Sequence, residues 1–185
     1  MKKIIGITGS IGSGKTYAIK MFEKICKLKN INASFIDIDN VRRNILTQEN
    51  VDRYLLNQKI YNDSKAMQEY KKYINPKIRN YLKEQIEKNT KIIFIEWALL
   101  IEDDLYDLVD SIIMIDCEEQ TQIKRLENGD LGKEEIIKRI NLQLTNKEKI
   151  EKLEKLKKEF FVFDTTQNPK QEEYENILRK EGLYE

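Results

Sequence analysis

Histidine is absent from the 185 residues of this chain. That zero excludes Ser-His-Asp triads, Cys-His nucleophile pairs, histidine metal sites and an imidazole switch near neutral pH. Acid–base chemistry must come from carboxylates, Lys, Tyr or Cys. Cysteine is scarce as well. Cys26 and Cys117 are too few for a disulfide scaffold and sit in apolar-patterned segments, which points to buried free thiols and a reducing compartment. No apolar run approaches the ~20 residues that span a bilayer. Two N-terminal lysines precede an apolar run that a Gly-rich loop soon interrupts, so the N-terminus does not read as a signal peptide. The expectation is a soluble cytoplasmic protein without a membrane partner. Lys+Arg number 33 and Asp+Glu 32, a net charge of +1, which argues against a strongly basic nucleic-acid binder.

The apolar fraction of 40% suffices for one compact domain at this length. Short apolar runs at Lys3–Thr8, Ala33–Ile38, Ile92–Glu96, Ser111–Asp116 and Phe160–Asp164 lack polar alternation, as strands buried on both faces do. Helical periodicity lies between them, over Lys15–Lys29, Asp63–Lys88, Glu118–Glu127, Lys133–Lys158 and Pro169–Lys180. Strands alternating with helices predict an α/β fold with right-handed crossovers. The helix over Lys133–Lys158 is dense in Lys and Glu, either as a solvated face or as part of a mobile lid.

Glycine is scarce too, and four of the 7 fall between Gly6 and Gly14. Three of these lie in Gly9-Ser10-Ile11-Gly12-Ser13-Gly14-Lys15-Thr16, a full GxxxxGK[ST] match between an apolar strand and an amphipathic helix. Each part has a physical reason. The glycines let the backbone wrap an anion with its N–H groups, and the helix start adds the positive end of a dipole. Lys15 reaches the β- and γ-phosphates, and Thr16 ligates Mg²⁺. A bound nucleoside triphosphate, ATP for a kinase, follows. The loop alone does not separate kinases from other nucleotide-binding proteins.

Acids at strand ends carry the next signal, because ligands of open α/β sheets sit beyond the carboxyl ends of the strands. Alternation would put Asp37 and Asp39 on one side of the second strand. Asp37 is the candidate general base for a substrate hydroxyl, and Asp39 a helix cap or secondary ligand. Glu96 closes the third strand, where an acid commonly holds Mg²⁺ or its water shell. Leu99 and Leu100 continue an apolar wall. Arg is sparse beside Lys, and Arg79 and Arg139 lie on helices flanking the presumed cleft, where a guanidinium fork suits phosphate.

With these residues in view, the chain resembles the dephospho-coenzyme A kinase family over nearly its full length. Gly6-Ile7-Thr8-Gly9 through Thr16 is similar to that family's opening strand and phosphate loop. Asp37-Ile38-Asp39 stands where the family has Asp-Ala-Asp, and Asn75-Pro76-Lys77-Ile78-Arg79 resembles its His-Pro-x-Ile-Arg. Glu96 through Glu102, Gln122-Ile123-Lys124-Arg125-Leu126 and Arg139-Ile140-Asn141-Leu142-Gln143 follow in family order. The resemblance implies a P-loop kinase fold: one domain over 1–185, with a parallel five-stranded sheet flanked by helices. The core would span about 1–60, 90–128 and 158–185, a helical substrate-binding lobe about 61–89, and a lid about 129–157. It implies ATP-dependent phosphorylation of the ribose 3′-hydroxyl of dephospho-CoA. Asp37 would be the base, with Lys15 and Arg139 on the phosphates. Asn75, Arg79, Leu99 and Leu100 would contact the small-molecule substrate, and Thr16 and Glu96 the Mg²⁺. A monomer or small homo-oligomer is expected.

The chain departs from that pattern in places. Asn75 replaces His, Glu96 replaces Asp and Ala98 replaces Pro. A further lid Arg is missing near Glu127-Asn128-Gly129-Asp130, and Thr165-Thr166 replace residues that help enclose adenine. A related small-molecule or nucleotide kinase with another acceptor, and a nucleotide-binding module of little activity, are the alternatives.

Overall fold

The structure, a computed structural model, describes residues 2–89, 91–127, 137, 140, 141 and 143–184. Five strands form one parallel sheet in the order β2-β3-β1-β4-β5. They are β1 (Lys3–Thr8), β2 (Ala33–Asp37), β3 (Ile92–Glu96), β4 (Ser111–Asp116) and β5 (Glu159–Asp164). The central strand β1 pairs with β3 on one side and β4 on the other. Burial on both faces explains the unbroken apolar runs, and Ile5, Ile7, Ile93, Ile95 and Ile112–Ile115 have no exposed surface.

Helices cover both faces. Helix α1 (Lys15–Leu28) buries Ala18, Ile19, Phe22 and Ile25, the spacing of one helical stripe, against one face. On the same face packs α7 (Gln171–Lys180), through Tyr174, Ile177 and Leu178. The opposite face carries α2 (Ile38–Gln48), α4 (Ser64–Lys88) and α6 (Asn146–Lys155), with the loop from Trp97 to Val109. Helices α3 (Arg53–Asn62) and α5 (Glu119–Glu127) complete the described set. Cys26 and Cys117 are both free and buried, as expected, and burial pushes the Cys26 thiol up to about 11.

Several boundaries differ from the sequence expectation, each for a local reason. Strand β2 stops at Asp37 instead of Ile38, because the Asp37 carboxylate accepts a hydrogen bond from the Asn40 amide (3.0 Å) and starts α2 at once. Helix α3 was not foreseen, although Asp52 caps it by accepting from the Tyr54 and Leu55 amides. Helix α4 matches its expected span and holds Pro76 inside it. The single helix expected over Lys133–Lys158 is interrupted before Asn146. Thr145 is the N-cap of α6 and forms a reciprocal capping box with Glu148.

Candidate active site

The phosphate loop leaves β1 across the carboxyl end of the sheet. Gly9, Gly12 and Gly14 have φ of 149°, 75° and 93°, all in the region that penalises a side chain. At Gly9 a Cβ would also stand 2.2 Å from the Ile115 carbonyl oxygen of β4. Gly14 gives α1 no side-chain cap, so the opening amides of the helix face the loop's hollow without a side-chain partner from the cap position. Lys15 Nζ folds back and donates to the carbonyls of Gly9 (2.8 Å) and Ser10 (3.0 Å). Burial lowers its pKa from 10.5 to about 8; Lys149 adds to that fall, while Glu96, Asp39 and Glu102 oppose it.

On the β2–β3 side, parallel register sets Asp37 beside Glu96. Both line a cleft of about 220 Å³ with Thr16, Lys20, Glu23 and Phe35. Burial raises the Glu96 carboxyl, and the neighbouring Asp37 raises it further; Lys15 pulls the other way. The cap role expected of Asp39 falls to Asp37 instead. Asp37 is the helix cap as well as the acid of the cleft, and Asp39 pairs with Arg42 at 3.0 Å within the first turn of α2.

The structure brings Lys15, Thr16, Asp37 and Glu96 together. Other expected site residues lie elsewhere. Leu100 is 1% exposed and packs in the core beneath Gly6, so it has no face to offer an acceptor. Leu99 is half-buried against the same core. Arg79 holds Asp107 through both guanidinium arms (2.7 and 2.9 Å), and this pairing lowers the Asp107 carboxyl. Asn75 sits on α4 beside Pro76, and its buried Oδ1 has no hydrogen-bond partner. Arg139, and the stretch 128–130 where a lid Arg was sought, lie outside the described residues.

The β4–β5 side holds residues whose role the sequence only hinted at. Arg125 donates to Thr165 Oγ1 (3.0 Å), the Thr165 carbonyl (2.6 Å) and Asn168 Oδ1 (3.2 Å). Thr165 Oγ1 donates in turn to the Ser13 carbonyl at 2.6 Å. Thr165 thus ties the loop after β5 to the phosphate loop. The Gln-x-x-Arg spacing was the available signal, since Gln122 Nε2 of the same element donates to the Ile11 carbonyl.

A third group reaches the loop from the residues that follow 129–142. Gln143 Oε1 accepts from the Ile11 amide at 2.9 Å. Asn146 Oδ1 accepts from Ser10 Oγ (3.2 Å), and its Nδ2 donates to Asp116 Oδ1. Burial raises the Asp116 carboxyl, although the Cys117 amide partly offsets the rise. The acid run after β3 completes the frame. Glu102 faces Lys149 (3.2 Å), Asp103 faces Lys71 (2.8 Å) and Asp104 faces Lys152 (2.6 Å).

A phosphate loop, paired strand-end acids beside it and a helical segment returning onto it are the parts of a phosphotransferase. The family model for dephospho-CoA kinase matches residues 28–156, more than two thirds of the chain. The chain belongs to the dephospho-CoA kinase family. The match begins downstream of the phosphate loop, so loop and family are independent observations. A dephospho-CoA kinase of Listeria monocytogenes is 27% identical over 198 residues, 88% of this chain and 96% of its own length. One of Fusobacterium nucleatum is 30% identical over 164 residues, 80% of this chain and 85% of its own. Among solved structures, TT1252 from Thermus thermophilus gives a TM-score of 0.77 at 20% identity, covering 97% of this chain and 95% of its own. The deoxyadenosine kinase of M. mycoides with bound dATP gives 0.58 at 19% identity, covering 98% of this chain and all of its own. Both likenesses concern the fold, that of P-loop kinases. Membership in the dephospho-CoA kinase family makes the chain an ATP-dependent phosphotransferase with a small-molecule substrate. No described helix is long and apolar enough to cross a membrane.

Proposed function

We propose that the chain transfers the γ-phosphoryl group of ATP to the ribose 3′-hydroxyl of dephospho-CoA, giving coenzyme A and ADP. The observation that carries this reading is the Asp37–Glu96 pair, set side by side by strand register in a cleft that also contains Thr16 of the phosphate loop. Residues 9–16 and the start of α1 cradle the triphosphate, with Lys15 released from its loop carbonyls onto the phosphates. Asp37 accepts the proton of the attacking hydroxyl while the bond between the γ-phosphorus and the ADP oxygen breaks. The donor set fits Mg²⁺: a hydroxyl at Thr16 and one carboxylate at Glu96, whose charge is already opposed by burial and by Asp37. Mg²⁺ takes one or two protein ligands besides phosphates and water, and the described residues hold no cluster of three metal-ligating side chains. When bound, the ion neutralises charge on the phosphate oxygens.

Asn75 and Arg79 of the 61–89 lobe, outside the Asp37–Glu96 cleft, meet parts of the acceptor remote from its reacting hydroxyl, and Arg139 acts over the phosphates from the lid segment of about 129–157, of which α6 packs on the sheet. Exclusion of water by that lid suppresses idle ATP hydrolysis. The enzyme works in the cytoplasm on a free small molecule, without nucleic acid, as a monomer or small homo-oligomer. The test is an acceptor panel with Mg·ATP, with products identified by mass. Dephospho-CoA should gain one phosphoryl group, and nucleosides and nucleotides should react far more slowly. A better acceptor among the nucleotides would overturn the assignment.

A further inference from the structure

Lys149 belongs to none of the roles above, yet it is fully buried at the carboxyl end of the sheet. It lies in the first turns of α6, the helix whose leading residue Asn146 bonds Ser10 and Asp116. Among the described residues, its ammonium has one close contact, Glu102 Oε1 at 3.2 Å, and makes no well-directed hydrogen bond. Glu102 Oε1 also accepts from the Leu144 amide (3.2 Å), and its Oε2 has no hydrogen-bond partner among the described residues. Among the described residues, the charged groups around the ammonium are Glu102 from the loop after β3, Lys15 from the phosphate loop and Asp116 from β4. A buried ion pair alone is weak evidence of a stabilising role, because desolvation offsets most of its attraction. A cation that is under-bonded, close to the phosphate loop and mounted on the helix clasping that loop serves a second purpose.

We propose that Lys149 is a positioning residue for phosphoryl transfer, which holds positive potential beneath the phosphate loop and couples triphosphate binding to the seating of α6. This rests on the kinase reading. Without nucleotide Lys15 and Lys149 repel, and an incoming triphosphate relieves that repulsion, so part of its binding energy holds α6 against Ser10. Glu102 anchors the ammonium and tempers its field.

ATP binding is measured by titration calorimetry without acceptor, and kcat and KM are then measured with acceptor. Lys149→Met should weaken ATP binding by about tenfold, the scale of one charge acting over several ångströms at a protein-like dielectric. Lys149→Arg should restore most of the affinity. The double variant Lys149→Met with Glu102→Gln leaves no orphaned charge and guards against misfolding; it should still bind ATP weakly. Wild-type affinity in either folded Lys149→Met protein would overturn the proposal. So would loss of the fold in both, since Lys149 would then be architectural. Binding is read without acceptor, so failure of dephospho-CoA as a substrate would strike only the acceptor assignment.

Discussion

Asp37→Asn separates two tasks that one carboxylate performs. Oδ1 of Asp37 accepts the Asn40 amide at 3.0 Å and so caps α2. The second task, taking a proton from the acceptor, needs a negative charge. Asn ranks with Asp as a helix cap, so Asp37→Asn should alter folding stability by no more than about 0.5 kcal/mol. For a chain of this size that is a shift of Tm within ~2 °C. Loss of a general base should lower kcat by about 10²–10⁴-fold, with ATP affinity nearly unchanged. Asp37→Ala removes base and cap together. Its kcat should match that of the Asn variant, while stability falls by a further ~1 kcal/mol, or about 2–4 °C in Tm. Both variants should bring the Glu96 carboxyl back down, because Asp37 is one cause of its rise. Steady-state kinetics with both substrates, ATP titration and scanning calorimetry give every quantity needed. Asp37→Asn with kcat within about threefold of wild type would refute the base assignment, since base catalysis is worth far more. Equal Tm for the Asn and Ala variants would refute the cap.

Lys15, with its pKa held near 8 in the empty site against 10.5 for an unperturbed lysine, should take up a proton on ATP binding between those pH values. Calorimetry in buffers of different ionisation enthalpy measures that uptake. On this group's account the empty protein should also gain stability as pH rises from about 8 to 10.5, because the unfolded chain binds the proton more tightly. Gly9→Ala should abolish ATP binding, because its Cβ would lie 2.2 Å from the Ile115 carbonyl oxygen at a backbone φ of 149°. A titration showing wild-type affinity would show that the loop can shift. Pro76→Ala restores a backbone donor inside α4 and should raise stability, by up to about 3 kcal/mol in urea unfolding.

The phosphate loop was legible because everything that makes it is local: an apolar strand, glycines at turning points and an amphipathic helix within thirty residues. The acids at Asp37 and Glu96 were legible because strand ends are where ligands meet a parallel sheet. The transfer of the cap from Asp39 to Asp37 was not, because alternation was extended through a residue pair that the cap had already turned into helix. The break before α6 carried its own signal, Thr145 followed three residues later by Glu148. It was overlooked because Lys/Glu periodicity continues on both sides. Lys149 was hidden by the same composition, since one buried lysine among many solvated ones leaves no mark in sequence. Leu100 was misread because an apolar residue after a strand serves a substrate wall or a core equally well, and only packing against Gly6 decides.

The bond from Thr165 to the Ser13 carbonyl joins residues separated by 152 positions. Strand β1, first in the chain, acquires its neighbours only after β3 and β4 have been made. Closing such distant pairs is slow, because the loop entropy is lost before the contacts repay it. The nucleotide site therefore depends on contacts that exist only when the sheet is complete. A growing chain carries the whole phosphate motif long before it has the walls that make the motif work, and during that interval it has little power to hold ATP. ATP-dependent protection of this protein, in proteolysis or hydrogen exchange, consequently reports completion of the entire sheet and not the presence of its first loop.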